Sequence, residues 1–459
     1  MEEWISYLSQ NEARHQSEFA QFLTIPSVST LQEHKSDVLR AADWLASRMQ
    51  SAGLEHVKIC ETDGYPVVYA DWLHAEGAPT ILLYGHYDVQ PADPLALWQT
   101  PPFQPELRDG RLYARGASDM KGNVLLMVNA CEAHLKTSGK LPVNIKFMIE
   151  GEEEIGSPSL PTWIRENQQK IACDFAASAD SAQVSLQIPT VIVGTKGLCA
   201  IQVDLKTGKT DLHSGIAGGA VYNAIHVMSD IIHSMRDADG HIAVAGFYDD
   251  IVEPSAAHRE MCARFPMSDE AFRESIGAAK LVHEPSYTAT ESMWFRPTLE
   301  VNGMWGGFQD EGVKTVIPCE AHAKISCRLV AGQRPADIIE KLQAHIASHT
   351  PEGVEVTTVP FAGSADPYLL EENHPVLQAA DAALKDATGA SAIHIRMGAT
   401  VPVLGILKDN IGVDTVSLGF SGLNDGMHAP NESVDVAGYH LGARVYAYFF
   451  EHLGKSSLL

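Results

Sequence analysis

Residues 143–149, VNIKFMI, form a short apolar run rich in branched and aromatic side chains, and the chain leaves it into four glutamates, Glu150, Glu152, Glu153 and Glu154. A run of this length and composition reads as a buried strand. The glutamates then stand where the strand's carboxyl end emerges, the edge of an open α/β sheet at which ligands bind. Like charges this close repel. On a solvated loop water would screen them; at a sheet edge a divalent cation lets clustered carboxylates stay ionised together. The second reading requires other strand ends to deliver ligand-type side chains as well.

They do. PTILLYG (79–85) reads as a strand and runs into GHYDVQP, with His86 and Asp88; RLYARGASDMKGN delivers Asp119 at the start of an apolar helix, 120–136; DFAASAD ends at Asp180; and the strand VDTVSLGF (413–420) is followed by GLNDGMHAPNE, with His428. A single His or Asp after a strand is usually a cap or turn residue, so the conjunction is the signal. Two histidines and three carboxylate positions (Asp119, Asp180 and one of the glutamates) supply the N and O donors that suit zinc and related ions. Asp88, two residues beyond His86 on the same side of an extended segment, is placed to hold the second imidazole nitrogen. With amphipathic helices at 12–24 and 36–52 and a further strand at 67–72, the alternation implies a sheet with helices on both faces.

At 459 residues the chain exceeds the ~250–300 that one core usually supports, so two domains are expected. Its formal charge of -25 opposes nucleic acid and anionic membrane and favours small molecules or metals as partners. Seven cysteines without a C-x-x-C pair read as reduced thiols, and no window reaches the ~18 apolar residues of a membrane span, so a cytoplasmic protein is expected. Gly208, Lys209 and Thr210 end like a phosphate-binding loop, but Val203 occupies the upstream glycine position.

GHYDVQP, RGASDMKG, EGEEEIGS, the Asp of SADSA and the His of NDGMHAPNE, in this order and spacing, resemble the carnosinase-like two-metal dipeptidases of the aminoacylase and glutamate-carboxypeptidase superfamily, bacterial branch. DLHSG, WFRPTLEVNGMWGG, KTVIP, KISCRLV and RMGATVPV extend the resemblance over nearly the whole chain. It implies an α/β catalytic domain with a mixed sheet flanked by helices, and an inserted ferredoxin-like α+β lid and dimerisation domain. The boundaries are placed at 1–194 and 363–459 for the catalytic parts and 195–362 for the lid, with a helical excursion at about 237–296. It further implies that Asp119 bridges two metal ions, zinc or else manganese or cobalt, with His86 and Asp180 completing one site and Glu154 and His428 the other. Glu153 would be the general base on a bridging metal-bound water, Asp88 would orient His86, and the Asp119–Met120 peptide would be cis.

In the lid, the resemblance implies that Arg328 and Thr315, with Ala399 and Thr400, hold a substrate carboxylate, and that His213 reaches the active site of a homodimer partner. The implied activity is hydrolysis of dipeptides or short peptides. Deacylation of N-acyl amino acids is the rival with the same chemistry, and a non-catalytic binding relative the rival outside it. Glu150 receives no role, and Glu152 reads as solvated.

Overall fold

A computed structural model describes residues 2–455. They form two compact units: the described parts of Met1–Val193, Leu370–His394 and Ile406–Leu459 make the first, and Gly194–Leu369 with Ile395–Gly405 make the second.

In the first unit α1 (Glu12–Leu23) and α2 (Lys35–Ala52) lead into β1 (Glu55–Cys60), β2 (Val67–Trp72) and β3 (Thr80–His86), followed by α3 (Gly122–Ser138), β4 (Asn144–Glu150), β5 (Phe175–Ser178) and β6 (Thr190–Thr195). The sheet order is β1-β2-β4-β3-β5, then a late strand, Thr415–Ser417, then β6. The central four, β4, β3, β5 and Thr415–Ser417, are parallel, while β1, β2 and β6 pair antiparallel, which makes the sheet mixed. β3 and β4 are buried at every residue but the first. That is why they read as continuous apolar runs: both faces of a parallel core are covered. All four parallel strands deliver their carboxyl ends to one edge.

α3 is buried on all sides from Gly122 to His134, which explains its lack of a polar face. Its start lies hard against β3. A side chain at Gly85 would bring a Cβ within 2.8 Å of Met120 and 2.9 Å of Val124, so the missing side chain lets the helix that follows Asp119 close on the strand that ends at His86.

The second unit contains β7 (Gly197–Lys206), α4 (Ala224–Ser234), β8 (Thr298–Gly306), β9 (Glu320–Leu329), α5 (Pro335–His349) and β10 (Glu355–Pro360). The order β8-β9-β7-β10, antiparallel throughout, is the expected ferredoxin-like arrangement. β7 alternates between buried and half-buried positions. Its inner face (Cys199, Ile201, Val203, Leu205) packs with Val227, Met228 and Ile231 of α4 and Ile338, Leu342 and Ile346 of α5; cutting Ile201 back to Ala would cost ~2–5 kcal/mol. The excursion between α4 and β8 carries the helices Ala256–Arg264, Asp269–Ser275 and Ala289–Phe295. Each begins where the side chain of Ser255, Ser268 or Thr288 accepts a backbone N–H three residues on.

The sequence boundaries differ from this division in two places. The second unit runs to Leu369, beyond residue 362, and Ile395–Gly405 packs with it instead of with the first. The reason is backbone pairing: the Lys196 N–H donates to the carbonyls of Met397 (3.2 Å) and Ala399 (3.1 Å).

Candidate metal centre

Each parallel strand contributes to the edge of the first unit. β3 ends in His86; β4 leads to a short turn, Glu153–Ile155; Asp180 stands two residues past β5; and His428 follows Thr415–Ser417. Asp119 lies in the turn before α3, and its peptide bond to Met120 is cis. Two groups result: His86, Asp119 and Asp180, and Asp119, Glu154 and His428, the donor atoms within each group lying within 4.8 Å of one another.

Asp119 belongs to both groups. Its Oδ1 is 3.1 Å from His86 Nε2 and its Oδ2 is 2.9 Å from His428 Nε2, while His428 Nε2 is also 3.2 Å from Glu154 Oε2. The two oxygens of one carboxylate thus serve two different clusters. His86 is fully buried. Its Nδ1 is 3.1 Å from the Asp88 carbonyl and 3.4 Å from the Asp88 carboxylate. The backbone is therefore the nearer acceptor, not the side chain that the spacing predicts; with Nδ1 donating to it, Nε2 is the ring nitrogen that faces Asp119. The Asp88 Oδ2 accepts the Glu154 N–H (3.2 Å), tying the two glutamate-bearing and histidine-bearing loops together.

The charges do not balance internally. Burial, then repulsion from Asp180, Glu154 and Asp119 that His86 offsets only in part, pushes the Glu153 carboxyl up to about 9. Burial and the Asp119 charge push Asp180 up to about 7. Burial alone would raise Asp119, but hydrogen bonds with His428 and His86 hold it well below the usual carboxylate range. The same bonds, to Asp119 and Glu154, lift His428 to about 10. Protons are thus held where cations would be favoured, on a donor set of imidazole nitrogens and carboxylate oxygens that suits a borderline divalent ion. The residues fit a pair of such ions that share Asp119.

Residues 82–452 match the Peptidase family M20/M25/M40. The chain belongs to this family. M20 peptidases work with divalent metal ions, and the relatives agree in length as well as in sequence. The Beta-Ala-His dipeptidase of Rattus norvegicus is 28% identical over 96% of this chain and 94% of its own. The cysteinylglycine-S-conjugate dipeptidase of Corynebacterium striatum is 28% identical over 93% of each. The crystal structure of the M20 family metallo-carboxypeptidase Sso-CP2 from Sulfolobus solfataricus superposes with a TM-score of 0.83 at 30% identity, covering 96% of this chain and 99% of that one.

The expected residues of the second unit of this M20 peptidase fall into two places. Arg328 Nη1 donates to Thr400 Oγ1 at 2.6 Å, and the Ala399 carbonyl accepts the Lys196 N–H. His213 and Thr315 are together elsewhere: both are exposed, His213 pairs with Val316, and the Ser214 N–H donates to the Thr315 carbonyl. His213 caps a short helix, its Nδ1 accepting the Gly215 N–H at 3.0 Å.

Several residues at the centre escaped the sequence reading. Glu432 is fully buried and accepts the backbone N–H groups of Ser118 (2.8 Å), Asp119 (3.0 Å) and Gly116 (2.9 Å) and the Arg115 guanidinium (2.7 Å). It thereby locks the Asp119 turn to the His428 loop. Asp425 accepts the Ser118 hydroxyl (3.1 Å) in the same junction, and Gln90 Nε2 donates to Glu154 Oε2 (2.9 Å). Glu432 lies four residues past His428, yet an acid that serves backbone donors elsewhere leaves no local signature. Glu152, expected to be solvated, is buried at 4% exposure.

Proposed function

We propose that this M20 peptidase hydrolyses dipeptides and short peptides that carry a free C-terminal carboxylate, using two divalent ions held by His86, Asp119 and Asp180 on one side and by Asp119, Glu154 and His428 on the other. The observation that carries this reading is Asp119, whose two oxygens each face a different imidazole. The mixed N and O donor set favours zinc, with manganese or cobalt able to substitute. Ions bound there would polarise a scissile carbonyl and make water nucleophilic at neutral pH. Glu153, beside both groups and a member of neither, takes the proton of the attacking water and passes it to the leaving amine. The Asp88 carbonyl fixes the His86 tautomer.

Arg328, with Thr400 beside it, binds the terminal carboxylate through its guanidinium. The names of the dipeptidase relatives and of the metallo-carboxypeptidase support such a substrate. We assign His213 to the active site of a second copy, where it donates to the oxyanion of the transition state. The exposed Leu212, Ile216, Val221, Tyr222 and Val313 that accompany it in the second unit support burial against a partner. Free thiols at all seven cysteines support a reducing, cytoplasmic setting, and among the described residues no helix is long and apolar enough to cross a membrane.

The test is a panel of dipeptides, their C-terminal amides and N-acyl amino acids, assayed with chelated and with zinc- or manganese-restored protein. Hydrolysis of free dipeptides only after metal is restored is expected, with Arg328→Ala raising KM and blunting discrimination against the amides. Preference for acyl amino acids would redirect the assignment to a deacylase. For His213, mixing the inactive His213→Ala and Glu153→Gln proteins under subunit exchange should restore activity, because one site of each mixed dimer is then intact; demonstrated exchange without recovery contradicts action in trans.

A further inference from the structure

Glu152 stands between the two acids of the proposed chemistry and the strand that precedes them, and nothing in that chemistry uses it. Its carboxylate is nonetheless fully engaged. Oε1 accepts the backbone N–H of Tyr65 at 3.0 Å and Oε2 accepts the backbone N–H of Ser159 at 3.1 Å. Its own carbonyl takes the N–H groups of Ile155 (3.1 Å) and Ser157 (2.8 Å). The loop is stitched a second time by Glu150, whose Oε1 accepts the Ser157 hydroxyl at 2.9 Å and the Tyr84 hydroxyl at 2.7 Å. The chain opposite has been left open for the carboxylate: a Cβ on Gly64 would lie 1.7 Å from Glu152 Oε1 and 2.6 Å from its Cδ. Gly64 is exposed and its φ is not positive, so neither backbone conformation nor packing from outside demands a glycine there.

We propose that Glu152 is a positioning residue: its buried carboxylate clamps the segment after β4 between the Gly64–Tyr65 bend and Ser159, and so sets where Glu153 and Glu154 stand. The two oxygens bridge elements 87 and 7 residues away in sequence. Both ends of the loop that carries the proposed base and ligand are therefore tied to backbone that has no part in the reaction. An amide cannot replace the carboxylate, because one of its two ends would present N–H to a backbone N–H. The proposal rests on the roles assigned to Glu153 and Glu154 above.

The experiment compares the metal-loaded wild type with Glu152→Gln and Gly64→Ala, the second adding one methyl group on an exposed bend. Hydrogen exchange at Tyr65 and Ser159 should accelerate by about tenfold or more in both variants while β3 and β4 stay protected. With a dipeptide substrate, kcat should fall by about ten- to a hundredfold, the effect of a displaced base, with KM within about twofold. Unchanged exchange at both amides overturns the clamp. Faster exchange with unchanged kcat overturns the positioning role and leaves a purely structural tie. If Glu152→Gln does not fold, Gly64→Ala decides by the same two readouts. A wild type that cleaves no dipeptide defeats the functional reading alone, since the exchange arm reports on the clamp without turnover.

Discussion

Two clusters of charge in the first unit are treated in opposite ways. Around Glu132 on α3 the protein supplies its own counter-charges. Arg48 Nη2 (2.6 Å), Arg14 Nη2 (3.0 Å) and His15 Nε2 (3.3 Å) converge on one carboxylate oxygen, and Arg48 also pairs with Glu18 (2.7 Å). Burial would raise the Glu132 carboxyl, but these partners hold it down at about 2. At the strand ends the carboxylates outnumber the imidazoles, and burial with mutual repulsion drives Glu153 to about 9 and Asp180 to about 7. The two clusters belong to one unit. The difference is whether the compensating cation is part of the chain. A buried charge set that the fold completes is framework; one that the fold leaves incomplete is a binding site.

The sharpest way to break this contrast is a neutral substitution in each cluster. Glu153→Gln should keep its metal ions and lose ~10²–10⁴ in kcat, the usual worth of a general base, whereas Glu154→Gln should bind metal poorly; near wild-type turnover by Glu153→Gln refutes the assignment. Glu132→Gln removes the charge on which buried Arg48 and half-exposed Arg14 converge, leaving both with Glu18 alone as a charged partner, and should cost ~3 kcal/mol in chemical unfolding, the lower end for breaking a buried pair, with metal per folded molecule unchanged. Loss of metal from that variant would show that the clusters are not independent.

A smaller effect comes from pH, and the two clusters should contribute with opposite sign. The folded Glu132 carboxyl lies below its ordinary 4.5, at about 2. Its stabilisation is complete above about 4.5 and is lost as pH falls through that window, up to ~3 kcal/mol. In metal-free protein Glu153 lies above its ordinary 4.5, at about 9. There the folded state binds the extra proton between those values, so stability should fall as pH rises from about 5 to 9. Denaturant titrations of chelated and metal-loaded protein across this range should show that slope only in the chelated form.

How much of this was legible depended on where the partner of each residue lies. The fold class was readable because the strands of the parallel core are buried and mostly apolar and the second unit's strands and helices alternate in the ferredoxin-like order. His86, Asp119, Asp180, His428 and one of the four glutamates could be proposed together because each follows a strand or opens a helix, so local sequence announces its edge of the sheet; the choice of Glu154 among the glutamates came from the family resemblance. Glu152 could not be read correctly: the Tyr65 backbone N–H that makes its burial tolerable is 87 positions away. Glu432 was silent for the same reason. Asp88 was read as acting through its side chain because spacing along a strand predicts side-chain direction and says nothing of a nearer carbonyl. The assignment of residues 395–405 failed where Lys196, in an earlier segment, captures their backbone carbonyls.

The central claim is that the strand-end cluster is completed by two ions that share Asp119. Metal titration of chelated protein by calorimetry, with elemental analysis of the product, tests it most directly. Wild type should take up two equivalents of zinc or manganese per chain, and Asp119→Asn should lose tight binding at both positions while remaining folded, because each cluster contains that carboxylate. Uptake of a single equivalent by wild type, or of two tight equivalents by Asp119→Asn, would contradict the account.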